Sequence, residues 1–370
     1  MFEKKNKSMS SATASSKSAA FIYPKAVQVW LMIGVFMVFM QVVIGGVTRL
    51  TGSGLSITKW EIVTGTLPPL NAAQWQEEFV EYQATPQYQK INEGMSMSEF
   101  KFIYFWEYFH RLWARSMGFV FLIPFLFFYF KGWIDRPLLR RLGLVVLLAA
   151  LAASFGWIMV ASGLVNRPWV NAYKLTLHLS IALAVYSTLF WTLLTTSAHY
   201  PQVIHTILLK KWGLWIAILL GVQIVLGGIM SGMKAGLFYP TWPQMNGEWV
   251  PAVVLDGSEW NSLNFIHYDR GPFMSALVQL MHRCLAYVLV IIVLWYFYKA
   301  MTNAPKGPFR SALPLLPTMI FIQVLLGIFT LLYCKGTVPV GLGVFHQAGA
   351  LVLLTIILFF NYHLRVDAKK

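Results

Sequence analysis

Cysteine is almost missing from this chain. Its two thiols, Cys284 and Cys334, form no CxxC pair and occupy no paired loop positions, so neither a disulfide framework nor a thiolate zinc site is built from them. Both read as small apolar residues, Cys284 inside an apolar run and Cys334 at the outer end of another, with no role assigned to either. Charge is the second shortage. Only 12% of residues are charged while 57% are hydrophobic, more apolar surface than a soluble domain of this size needs. Acids are scarcer still, 14 against 29 Lys and Arg. Sustained apolar–polar alternation is also missing, which excludes a closed transmembrane barrel and leaves helices.

Eight long apolar runs stand out, over about residues 26–48, 102–130, 141–163, 172–195, 212–232, 273–298, 312–333 and 339–362. Each approaches or exceeds the roughly 20 residues that cross a bilayer. The expected fold is therefore an all-α integral membrane protein, eight transmembrane helices in two pseudo-symmetric four-helix bundles. A net charge of +15 in a soluble protein would point to nucleic acid. Here the bases cluster in alternate connections: Lys131, Arg136, Arg140 and Arg141 between runs two and three, Lys210 and Lys211 between four and five, Lys299, Lys306 and Arg310 between six and seven. Lys4, Lys5, Lys7, Lys17 and Lys25 precede the first run, and Arg365, Lys369 and Lys370 follow the last. Most acids lie in the other connections, among them Glu61, Glu77, Glu248 and Asp269. The positive-inside rule then puts both termini on the cytoplasmic side, or the matrix side in a mitochondrion, and no nucleic-acid partner is expected.

The expected organisation is a disordered cytoplasmic tail (1–25), an N-terminal half (26–195) with a long outer loop, a cytoplasmic linker (196–211), a C-terminal half (212–363) and a short tail (364–370). Residues 1–25 are acid-poor, but they lack the arginines of a mitochondrial transit peptide. In the outer loop, Asn71 can cap a helix to about Ala84 with Trp75, Phe79 and Tyr82 on one face, and Pro86 stops it. The Ser96-Met97-Ser98-Glu99 capping box starts the second span. A gapless internal repeat lays 41–65 over 223–247. It pairs Gln41 with Gln223, Gly45-Gly46 with Gly227-Gly228, Gly54-Leu55 with Gly236-Leu237, and Trp60 with Trp242. Two four-helix halves of one ancestral unit then share one orientation, since each has an even number of spans.

Four histidines fall inside the runs: His110, His178, His282 and His346, in runs two, four, six and eight. These are the spans that enter from the outer side. The others, His199, His205, His267 and His363, read as surface or interfacial. One membrane histidine is ordinarily a packing residue; four at matched depth, two per repeat, fit haem, where two helices supply axial imidazoles to one iron. Arg111 and Arg283 each follow a histidine and sit where propionates could accept their bonds, or where they snorkel to the interface. Glu107 lies three residues before His110, on the same helix face, and is an intramembrane acid with no counterpart: Gln279 holds the matching position before His282. From these residues alone an enzyme, a diheme b-type electron-transfer subunit and a haem transporter all remain open.

The chain resembles the haem A synthases, specifically their mitochondrial and proteobacterial-like branch. The resemblance covers nearly everything past residue 25. It rests on the run Gly45-Gly46-Val47-Thr48-Arg49-Leu50-Thr51-Gly52-Ser53-Gly54-Leu55-Ser56, on Val63-Thr64-Gly65 with Pro68-Pro69, and on Glu99-Phe100-Lys101. It continues through Glu107-Tyr108-Phe109-His110-Arg111, Gly156-Trp157-Ile158-Met159-Val160 with Ser162-Gly163-Leu164, His282-Arg283, and His346-Gln347-Ala348-Gly349-Ala350. Such a likeness implies an eight-span oxidoreductase that converts the ring-D methyl of haem O to the formyl of haem A through a hydroxylated haem, for cytochrome oxidase cofactor biosynthesis. It implies that His110 and His178, with Arg111, face the substrate haem. His282 and His346, with Arg283, hold a haem b cofactor as axial iron ligands, and Glu107 is the essential acid. The implied location is a bacterial inner membrane. The implied partners are haem O, membrane lipid, a haem O synthase and cytochrome oxidase assembly factors, with a homo-oligomer left open. One departure matters: some branches carry a cysteine pair in the first outer loop, and residues 49–100 contain none.

Overall fold

The computed structural model describes residues 22–59, 67–163, 168–197, 207–304 and 306–364. Several expectations fall outside these: the tail to residue 21, linker residues 198–206 with His199 and His205, the closing residues 365–370, and the stretches holding Trp60, Val63-Thr64-Gly65 and Leu164. Among the described residues, eight helices are long and apolar enough to cross a membrane. They are α1 (Lys25–Leu50), α2 (Met97–Phe130), α3 (Arg136–Gly163), α4 (Ala172–Thr196), α5 (Ile207–Gly232), α6 (Phe273–Asn303), α7 (Leu315–Leu332) and α8 (Val340–His363). The chain is an all-α multi-pass membrane protein.

Local sequence sets the ends. Ser96 and Glu99 form the full reciprocal capping box, so α2 starts at Met97, ahead of its apolar run. At 34 residues α2 extends about 50 Å, well beyond a hydrocarbon core of about 30 Å, and His110 lies farther along its helix than the other three histidines do. Asn71 caps Ala72–Gln83 as expected. Pro86 does more than stop that helix: with Thr85 as cap it opens a second short one, Pro86–Ile91, because proline suits a first helical turn. Phe79, Tyr82, Phe100, Ile103 and Tyr104 bury together and seat this pair of short helices on the start of α2.

Helix neighbours follow a two-fold pattern. In the N-terminal half α1 packs on α2 and α4, and α3 on α4; in the other half α5 packs on α6 and α8, and α7 on α8. The halves join through α1 with α8, α4 with α5, and α4 with α8. Lipid tails are as apolar as leucine, so close packing and interhelical hydrogen bonds hold such seams, each bond contributing about 0.6 kcal/mol on average. Tyr186 bonds Thr355 at 2.7 Å between α4 and α8, and Gln347 Nε2 donates to the Val42 carbonyl at 2.7 Å between α8 and α1. Any Cβ on Gly232 would sit 2.6 Å from Ala172 Cα, so α5 and α4 cross nearly backbone to backbone. One contact breaks the symmetry. α6 also packs along α7, whereas their counterparts α2 and α3 barely touch.

Candidate functional site: two histidine pairs in one cavity

Each of the four histidines lies against a glycine of a neighbouring helix. A Cβ on Gly45 would meet His110 Nε2 at 3.1 Å, and one on Gly156 would meet His178 Cε1 at 3.1 Å. In the other half a Cβ on Gly227 would stand 3.2 Å from His282 Cε1, and one on Gly327 2.9 Å from His346 Cε1. These glycines let an imidazole come up against helix backbone where a side chain would crowd it. Glutamines then hold three of the rings. Gln41 Nε2 lies 2.9 Å from His110 Nε2 and 3.3 Å from the His110 carbonyl. Gln223 repeats this at 3.2 and 3.0 Å on His282. Gln323 Nε2 lies 3.1 Å from His346 Nδ1 and donates to the His346 carbonyl at 2.8 Å.

His178 is held differently. Its Nδ1 lies 2.9 Å from the Ala152 carbonyl. A carbonyl only accepts, so Nδ1 carries the proton and Nε2 keeps its lone pair, the tautomer a metal ligand needs. Ala152 stands four residues before Gly156, and Gln323 four before Gly327. The two halves thus place a backbone carbonyl and a side-chain amide at one rung.

Beyond the histidines, toward the C-terminal ends of α1 and α5, the two halves clamp their first loops alike. Arg111 donates to the Ile57 and Lys59 carbonyls at 3.3 and 3.2 Å; Arg283 donates to those of Tyr239 and Thr241 at 3.3 and 2.6 Å. These acceptors pair one to one in the repeat. Arg283 further reaches the Pro243 and Gln244 carbonyls, both at 3.2 Å. Glu107 accepts from Ser56 N at 2.7 Å, Ser56 Oγ at 2.8 Å and Ile57 N at 2.9 Å, and pairs with Arg111 at 2.7 Å. Gln279 instead donates to the Tyr239 carbonyl at 2.8 Å. Lying three residues before a histidine, each side chain is expected to project towards the porphyrin of its own half. Glu107 does line the cavity; Gln279 does not, its amide nitrogen donating to its loop.

All four histidines, Glu107, Arg111 and Arg283 line one continuous cavity of about 1200 Å³ that crosses both halves. That exceeds the roughly 300–1,000 Å³ of a pocket for one small ligand. The His282 and His346 ring centroids are 6.4 Å apart, the spacing of two imidazoles that share one metal ion through bonds of about 2 Å. His282 Nδ1 is buried with no hydrogen-bond partner among the described residues. A second imidazole pair, an apolar lining and orphaned ring nitrogen suit haem. Among the described residues no cluster of three or more His, Cys, Asp or Glu could hold a bare metal ion. Cys334 is buried and Cys284 exposed, both as free thiols.

A sequence profile of a family described as "Cytochrome oxidase assembly protein" matches residues 28–358. The chain belongs to this family. Relatives within it include a protein of Nitrosospira multiformis named "Heme A synthase", 42% identical over 93% of this chain and 95% of its own length. A "Heme A synthase" of Rhodospirillum centenum is 42% identical over 96% of this chain and 92% of its own, and one of Flavobacterium psychrophilum 38% over 89% and 95%. For the cytochrome oxidase assembly family, then, the sequence had indicated the histidines and the acid. It had not indicated Gln323, Ala152, Ser56 or the glycine seats. Gln41 and Gln223 were visible only as matched letters of the repeat.

Proposed function

We propose that this chain is a haem A synthase, an oxidoreductase that converts the ring-D methyl of haem O to a formyl group through a hydroxylated haem. The observation that carries the reading is one cavity holding two glycine-seated histidine pairs, in a chain of the cytochrome oxidase assembly family. The N-terminal half takes the substrate haem at His110 and His178; the C-terminal half holds haem b at His282 and His346. Bound haem b supplies one-electron redox capacity next to the substrate. The unequal walls support this assignment. Where α6 closes on α7 a ligand is retained, and where α2 and α3 stand apart a ligand can exchange with the bilayer.

Within that reading, His178 offers Nε2 as a fixed ligand because Ala152 holds its other nitrogen. His110 and Gln41 complete the pocket from the opposite helices. Glu107 is the acid of the site. Four donors converge on its carboxylate, so it stands as an immobile negative charge that stabilises positive charge developing at the ring during oxidation. The basic connections support a bacterial inner-membrane location with both ends cytoplasmic.

Pigment extraction tests the activity. Membranes containing the protein and supplied with haem O should yield a formyl haem. Haem b alone, with haem O unchanged, would instead identify a diheme electron carrier, a role that leaves Glu107 and the open α2–α3 wall without use.

A further inference from the structure

The cavity lining carries five cationic side chains, Arg49, Arg111, Arg115, Lys234 and Arg283, against one carboxylate, Glu107. Arg111 takes the charge of Glu107, and the donors of Arg283 meet loop carbonyls. Arg49 and Lys234 are different. Arg49, in the last turn of α1, reaches across the seam to the Ser231 and Gly232 carbonyls at 3.0 and 3.2 Å, while its Nε is buried with no partner among the described residues. Lys234 follows the end of α5, its ammonium 5.7 Å above the Trp169 ring. Neither forms an ion pair among the described residues.

Backbone conformation singles out Lys234 independently. It sits at φ +52°, a left-handed conformation that favours glycine. The repeat places Gly52, at φ +71°, in the same position of the other half. A glycine suffices for this turn, so the C-terminal half accepts backbone strain to keep a lysine there. Burial and then the nearby Arg49 guanidinium push the Lys234 ammonium below its ordinary pKa, as expected of a cation without a counter-ion.

We infer that Arg49 and Lys234, one from each half, form a carboxylate site at the seam that receives haem propionates. This rests on the reading of the cavity as a haem site. Two cations with no counter-ion among the described residues, beside an apolar cavity, favour a ligand that brings its own anions. Haem is apolar over its faces and anionic along one edge. By residue count the two cations lie roughly 6–10 Å outward of the glycine seats of His110 and His282. The cavity can therefore take the ring by its histidines and the carboxylate edge at the seam.

The test uses purified full-length protein, titrated with iron protoporphyrin IX and separately with its dimethyl ester, followed by absorbance. Wild type should prefer the diacid. Lys234→Gln, whose side chain makes no hydrogen bond among the described residues, should cut that preference about tenfold, and Lys234→Arg should restore most of it. Arg49→Gln should act alike, with circular dichroism checking the fold, since Arg49 also caps α5. Repeating the titrations in His282→Ala and His178→Ala backgrounds distinguishes propionates of the N-terminal haem from those of the C-terminal one. An unchanged diacid-to-diester ratio in Lys234→Gln overturns the site while leaving the haem reading standing. Failure of wild type to bind either porphyrin overturns both.

Discussion

Glu107 and Gln279 occupy one rung of the repeat and fasten the same loop position by opposite means. The glutamate accepts from Ile57 N, and the glutamine donates to the Tyr239 carbonyl. Across the helix, Ala152 and Gln323 show the same inversion, a backbone acceptor for His178 against a side-chain amide for His346. The walls differ too, open between α2 and α3 and closed between α6 and α7. Each half carries a histidine pair on glycine seats, and the halves differ in what holds those rings and in how their walls close. On the proposed reading, the half with Gln323 and the closed wall is the one that retains haem b, and the half with the buried acid and the gap is the one that turns haem O over.

The most damaging test of that contrast removes the histidines one pair at a time. His282→Ala or His346→Ala should abolish the low-spin bis-imidazole haem signal in electron paramagnetic resonance; His110→Ala should leave it in place. Equal loss in both halves would erase the distinction. Next in size is Glu107→Gln, expected to keep haem b while formyl-haem production falls at least ~100-fold. Because Glu107 also anchors Ser56 and Ile57, protease sensitivity of the loop after α1 must be compared; a loosened loop with normal product would reassign the residue to loop anchoring. Smaller still, Gln323→Ala should weaken haem b retention roughly tenfold, the usual cost of losing a partner behind a metal ligand. Ala152→Gln should not tighten the N-terminal site, since its carbonyl already fixes the useful tautomer.

Much of this was legible in the letters. Apolar runs marked all eight spans, because a bilayer demands length and apolarity and little else. The Asn71 cap and the Ser96–Glu99 box are local chemistry, and both formed as read. The histidines stood out because polar groups in a membrane are few. Backbone partners left no such trace. Nothing in the letters signals that Arg111 and Arg283 grip carbonyls two residues apart, or that Ala152 serves through its main chain. Gln323 left no trace either, because the gapless repeat stops before α3 and α7. The α2–α3 gap was hidden for a different reason: a face toward lipid and a face toward an apolar ligand use the same residues.

The central claim is that one half turns over haem while the other keeps it. Its most direct test is the pigment content of membranes carrying His178→Ala and supplied with haem O, compared with wild type. The account predicts that the variant retains haem b at the wild-type level and yields no formyl haem. Formyl haem at the wild-type level in His178→Ala, or haem b lost from it but kept in His282→Ala, would contradict the division of labour.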